Sequence, residues 1–275
     1  MPGAVYEKGY DMKKGRTRSV LTGLFAGILI LGLLLGGSYL WREYQQKQKQ
    51  EDLKEKVVDQ EALEEPKESN PIDFASLWNL NPDVYAWIDV PGTEISYPVL
   101  QSAEDNSYYL EHTIEGEKTL PGAIYSENYN SKDFSDYNTI LYGHNMRNGT
   151  MFGQLSSFGE RDFLLENAVV RFDTLYENAL YVPFAMFEAS MDEDDAHYFD
   201  VRQIVFDETT FELFVLRLRS RSVCDVPVDV AYGDQLLTLV TCSYNDEDGR
   251  YIVALRKLRA GETEEDVRAL MKEAQ

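Results

Sequence analysis

The sequence predicts a mostly β fold, a largely antiparallel barrel with helical insertions that occupies about 200 residues in one domain. Three observations predict it. From Pro71 onward, short runs rich in Val, Ile, Tyr and Phe are broken by Gly, Asn and Asp, the pattern of strands joined by turns. One segment departs from that pattern: ETTFELFVLRLR at 208–219 sets Phe211, Phe214, Val215 and Leu218 at helical spacing. The aromatic content of 12% is too high for a disordered acidic chain, so a real apolar core is present.

The N-terminal region is organised differently. Residues 20–40, VLTGLFAGILILGLLLGGSYL, form a run of 21 without a charge. At a helical rise of 1.5 Å per residue this spans about 30 Å, the thickness of a bilayer's hydrocarbon core. A cleaved signal peptide is the competing reading. Against it, the apolar run exceeds an ordinary h-region, and the following SYLWREYQQKQ lacks a small-x-small cleavage pattern near its start. Lys8, Lys13, Lys14, Arg16 and Arg18 precede the span, whereas charges of both signs follow it. That asymmetry predicts a cytoplasmic tail at 1–19 and an extracellular remainder, with Tyr39, Trp41 and Tyr44 at the outer interface. Residues 41–70 hold only Leu53, Val57, Val58, Ala62 and Leu63 as aliphatic residues. They read as a charged stalk, a solvated helix or an extended linker, ending near Pro66.

The domain that follows, 71–262, opens with a short helix at 74–79, capped by Asp73 and stopped before Pro82. Strands are expected at 86–90, 95–99, 123–124, 139–142, 168–173, 180–189, 236–241 and 251–255. The helix at 208–219 precedes the last two strands. A final helix is expected at 264–273, inside the tail 263–275, with Thr263 as N-cap and Asp266 three residues on.

Composition excludes several functions. With 48 acidic against 26 basic side chains the net charge is −22. Residues 1–70 are balanced, so residues 71–275 carry all of it. Such a surface is no general nucleic-acid binder, because phosphate binding needs a basic field. Two cysteines and three histidines make neither a disulfide scaffold nor a His-rich metal centre. The acidic loop around 246–249, DEDG, lacks the ligand spacing of a calcium loop. No metal or organic cofactor is expected.

Cys242 ends the apolar run TLVTC and precedes the polar loop SYNDEDG. A thiol at the mouth of a buried strand suits a nucleophile, and a buried structural cysteine fits the same position. Arg250 begins the next strand, so a Cys242–Arg250 hairpin can bring its guanidinium near the sulfur as an anion-stabilising donor. A surface arginine paired with Asp246, Glu247 or Asp248 is the plainer alternative. His144, in the turn-like GHNMRNG, is the imidazole that cysteine acyl transfer needs for proton transfer. His112 and His197 lie in charged loops and are weaker candidates.

These residues resemble the sortases, membrane-anchored cysteine transpeptidases of Gram-positive bacteria. TLVTC at 238–242 matches the family's TLxTC signature, Arg250 in GRYIVALRKL its essential arginine, and His144 in LYGHNM its catalytic histidine. The resemblance runs over about 75–260. NPDVYAWIDVPGTEISYPVLQ, NTILYGHNMRNGTMFGQL and the helix before TLVTC point to class B. It implies a closed eight-stranded sortase-type barrel with N-terminal helices and a long helix between strands six and seven. It also implies catalysis by His144, Cys242 and Arg250, with Thr241, Asn145 and Ser243 as substrate-binding candidates. The expected reaction cleaves a C-terminal sorting signal after Thr through a Cys242 thioester. The surface protein then passes to an amine of a peptidoglycan precursor or to a pilin lysine, and the catalytic domain works as a monomer. A cysteine endopeptidase hydrolysing the same motif remains the alternative. A non-enzymatic binding module requires the three residues to stand apart in space. Cys224 has no counterpart in the signature and is expected to pack as a small apolar residue.

Overall fold

The structure, a computed structural model, describes residues 5–59, 70–242 and 248–273, without the side chains of 5–24, 26, 242 and 273. The chain divides into two compact units, the first ending at Leu53 and the second running from Lys54 to Gln275. Helix α1 spans Val5–Val57, so the stalk as far as Val57 is helical. Among the described residues no helix is long and apolar enough to cross a membrane. The expected span at 20–40 lies partly outside them, since the side chains of 20–24 and 26 are not described.

The second unit starts where the stalk acquires apolar residues. Val57 and Val58 are buried, and Val58 bridges Ile72 antiparallel. Helix α2 (Phe74–Leu80) is capped as expected, the Asp73 carboxylate accepting the Ser76 amide at 3.0 Å. The strands follow as β1 (Val84–Asp89), β2 (Ser96–Leu100), β3 (Ile124–Tyr125), β4 (Asn138–Tyr142), β5 (Val170–Thr174), β6 (Asn178–Ser190), β7 (Leu236–Cys242) and β8 (Gly249–Lys257). Helix α3 (Arg161–Glu166) precedes β5, α4 (Glu208–Arg219) lies between β6 and β7, and α5 (Glu264–Glu273) closes the domain.

The barrel closes in the order β1-β2-β3-β4-β7-β8-β6-β5. It is mixed: β2–β3 and β4–β7 run parallel, and the other pairings are antiparallel. The parallel β4–β7 pair positions the functional site, as described below. Because β3 is so short, it meets β4 only at Tyr125 and Tyr142. The rest of that edge of β4 is completed by Asn130, which is buried. Its amide donates to the Asn138 carbonyl at 2.8 Å and its oxygen accepts from the Ile140 amide at 3.0 Å. One side chain thereby supplies both polarities of a strand neighbour, which keeps buried backbone groups paired.

Helix α4 buries the four residues that its periodicity selects, Phe211, Phe214, Val215 and Leu218. Phe214 packs on Phe206 at 5.0 Å between ring centroids and on Phe199 at 5.8 Å. Burying such a side chain stabilises the fold by about 1.5–3 kcal/mol, so this face fixes the helix over the barrel. Its start is a capping box: Asp207 accepts the Thr210 amide at 2.8 Å, and the Thr210 hydroxyl accepts the Asp207 amide at 2.9 Å. Helix α5 is capped in the same reciprocal way by Thr263 and Asp266.

Candidate active site

The site grows from two strand pairings. In the antiparallel β7–β8 pair, Cys242 stands directly opposite Arg250. In the parallel β4–β7 pair, Tyr142 stands opposite Val240. Extending that register by two residues sets His144 beside Cys242 on the neighbouring strand line, where strands run about 4.8 Å apart. Parallel strands share a direction, so both chains leave the barrel at the same end. Backbone positions 144, 242 and 250 therefore gather at one rim, although almost 100 residues separate the first two.

The backbone leading into His144 is held on several sides. The Gly143 amide donates to the Val240 carbonyl at 3.2 Å, continuing the ladder past the end of β4. The Thr241 hydroxyl donates to the Gly143 carbonyl at 2.7 Å, and Thr241 is only 2% exposed. The Phe152 amide donates to the His144 carbonyl at 3.0 Å, folding the 144–152 loop back on itself. Asn145 bridges Met151 in that loop, and Met151 adopts φ 54° with its amide bonded to the Tyr97 hydroxyl. Glycine at 143 has a steric cause: a Cβ there would come within 2.5 Å of the Ile124 side chain and 2.9 Å of Phe152.

The His144 ring is half-buried, with Nε2 2.8 Å from the Leu110 carbonyl. It lines an open cleft of about 360 Å³ together with Leu110, Glu111, Lys118, Thr119 and Leu120. Glu111 and Lys118 pair at 2.6 Å, and the hydrogen bond from Lys118 holds the Glu111 carboxyl below its ordinary range. The half-buried Arg250 donates to its neighbour's carbonyl, Gly249, at 2.8 Å. Of the other sequence candidates, the Cys242 side chain and the whole of Ser243 lie outside the described residues. His112 stacks on Tyr108 with its Nδ1 2.7 Å from the Tyr108 carbonyl, and His197 is exposed beside Asp195. Cys224 is half-buried against the core, its thiol donating to the Gly159 carbonyl at 3.2 Å. Among the described residues no group of three or more His, Cys, Asp or Glu side chains could hold a metal ion.

The closed mixed barrel agrees with comparison to known proteins. The profile of the Sortase domain matches residues 88–257, more than half of the chain. The chain belongs to the sortase family. Sortase B of Listeria monocytogenes is 35% identical over 184 residues, covering 66% of this chain and 72% of that protein. Sortase B of Staphylococcus aureus is 28% identical over 188 residues, covering 68% and 75% respectively. The structure of a Staphylococcus aureus sortase B–substrate complex superposes with a TM-score of 0.70 at 26% identity, over 80% of this chain and all of that one. Within the family this is a class B sortase, a cysteine transpeptidase, and the eight-stranded barrel with a helix between β6 and β7 is its fold.

Sequence reasoning missed two features of this sortase's site. One is the Leu110 carbonyl that meets His144; a backbone oxygen has no residue signature. The other is Gly122, which packs against that carbonyl. Its Pro-Gly dipeptide marks a turn in the sequence and does not reveal what the turn touches.

Proposed function

We propose that Cys242 is the nucleophile, His144 the general acid and base, and Arg250 the donor that steadies the substrate carbonyl. The Cys242 sulfur attacks the carbonyl carbon of the Thr in a C-terminal sorting signal. A C–S bond forms, the C–N bond breaks, and His144 gives a proton to the departing amine. An acceptor amine then attacks the thioester. His144 takes its proton, the new amide leaves, and the thiol is restored. The acceptor is an amine of the peptidoglycan precursor or a pilin lysine. Asn145, Thr241 and Ser243 are the candidates for contact with the sorting signal, Thr241 from a buried position.

The observation that carries this assignment is the double register of β7, opposite Arg250 on one side and leading to His144 on the other. A non-enzymatic module would gain nothing from that convergence.

The chain is further proposed to be anchored by residues 20–40, with tail 1–19 in the cytoplasm and the stalk, catalytic domain 71–262 and segment 263–275 outside. Tethering enzyme and substrate to one bilayer raises their effective concentration.

The test uses the full chain in detergent with a panel of peptides carrying sorting signals, with and without an amine acceptor, followed by intact mass. The expected result is an acyl adduct on Cys242 that becomes an amide product only when amine is present, and no adduct in Cys242→Ala. Peptide cleavage by Cys242→Ala overturns the nucleophile. Hydrolysis that added amine cannot divert overturns the acceptor step and favours an endopeptidase.

A further inference from the structure

Leu110 closes a short 3-10 turn, Tyr108–Leu110, that lies against the His144 ring. A carbonyl oxygen only accepts, so the 2.8 Å contact places a proton on Nε2 and leaves the lone pair of the neutral ring on Nδ1. The turn is fixed by its own bonds: the Leu110 amide donates to Ser107, and the Ala123 amide donates to the Tyr109 carbonyl at 2.9 Å. The returning chain reaches it through Gly122, at φ +58°. A Cβ at that position would stand 2.3 Å from the Leu110 oxygen and 2.5 Å from the Tyr109 oxygen. Those atoms are backbone and cannot swing aside. Any side chain at 122 must displace the carbonyl that meets His144.

We propose that Gly122 and the Leu110 peptide form a positioning device that holds His144 in the Nε2–H tautomer, with Nδ1 as the nitrogen that exchanges protons. The device rests on the acid–base role given to His144 above. Gly122 has no side chain of its own and acts through the Leu110 carbonyl on the ring. A ring held in one tautomer and one orientation needs no rearrangement before each proton transfer. Thr241 and Phe152 secure the backbone at 143–144, and the Leu110 carbonyl secures the far side of the imidazole.

Three histidines make the test direct. Full-length protein carrying 15N-histidine is studied by NMR above the pH at which the rings titrate, with His112→Gln and His197→Gln used to assign His144. The wild-type ring is expected to show a protonated Nε2 and an unprotonated Nδ1. In Gly122→Ala, mixed or reversed tautomers are expected, and acylation by sorting peptide should fall about tenfold or more in kcat with little change in KM. Gly233→Ala is the control. Gly233 also has positive φ, at +102°, but nothing lies within 4 Å of its added Cβ. It should lose stability and keep both tautomer and kcat. A wild-type Nδ1–H tautomer overturns the proposal and needs no variant to be folded. So does a Gly122→Ala enzyme that keeps the tautomer while losing activity, or that changes no more than Gly233→Ala does. If instead wild type shows the Nε2–H ring and forms no acyl adduct, the functional assignment fails while the positioning geometry stands.

Discussion

Replacing Thr241 by valine removes one hydroxyl and leaves the side-chain shape almost unchanged. The hydroxyl donates to the buried Gly143 carbonyl at 2.7 Å. Leaving a buried acceptor without its donor costs about 1–3 kcal/mol. A carbon in the same place needs about 3.3 Å or more from an oxygen, so the Gly143 carbonyl must retreat by roughly 0.6 Å. Gly143 immediately precedes His144, and misplacing a reacting group by 1 Å costs about a hundredfold in rate. Thr241→Val should therefore lower the rate of acyl-enzyme formation about tenfold or more, leave KM little changed, and lower stability by about 1–3 kcal/mol. Rapid-quench acylation with a sorting peptide and urea unfolding measure the two effects separately. Thr241→Ser keeps the hydroxyl and should keep most of the rate. If Thr241→Val acylates at the wild-type rate, the clamp between the ends of β4 and β7 does not position His144. If only KM rises, the hydroxyl serves the substrate rather than the turn.

Arg250→Lys should lose about a hundredfold or more in kcat, because an ammonium cannot reproduce the planar fork of donors; near-normal turnover removes Arg250 from the site. Asp173 supplies a pH test unrelated to catalysis. Burial, the largest cause, raises its carboxyl from an ordinary 3.8 to about 6. A raised acid favours the folded state only when protonated, so its cost is absent below about pH 4, develops up to pH 6 and is complete above that. Asp173→Asn is expected to stabilise the protein at pH 7.5 by up to about 3 kcal/mol and to bring no gain at pH 3.5. Equal melting shifts at both pH values would show that the carboxyl does not titrate with folding.

What could be read in the sequence followed from local rules. The helix at Glu208–Arg219 was legible from its apolar spacing, and the one at Glu264–Glu273 from the Thr263–Asp266 cap. The Cys242–Arg250 pairing was legible because a short polar loop leaves an antiparallel hairpin little choice of register. The parallel β4–β7 contact was not, since nothing in the local pattern of either strand names so distant a partner. Helix α3 was missed because it has six residues and no side-chain cap. The two-residue β3 needs the Asn130 side chain to finish its task, and strand periodicity carries no sign of such substitution.

The β4–β7 pairing also governs when the protein becomes chemically competent. About 95 residues separate the paired strands, including β5, β6 and α4, and closing contacts of such high sequence separation slows folding. A chain with its hairpin of β7 and β8 formed already sets Cys242 across from Arg250. It meets His144 only once β4 and β7 have paired across that separation. Acylation competence, followed during refolding, is then expected to report when the β4–β7 pair forms.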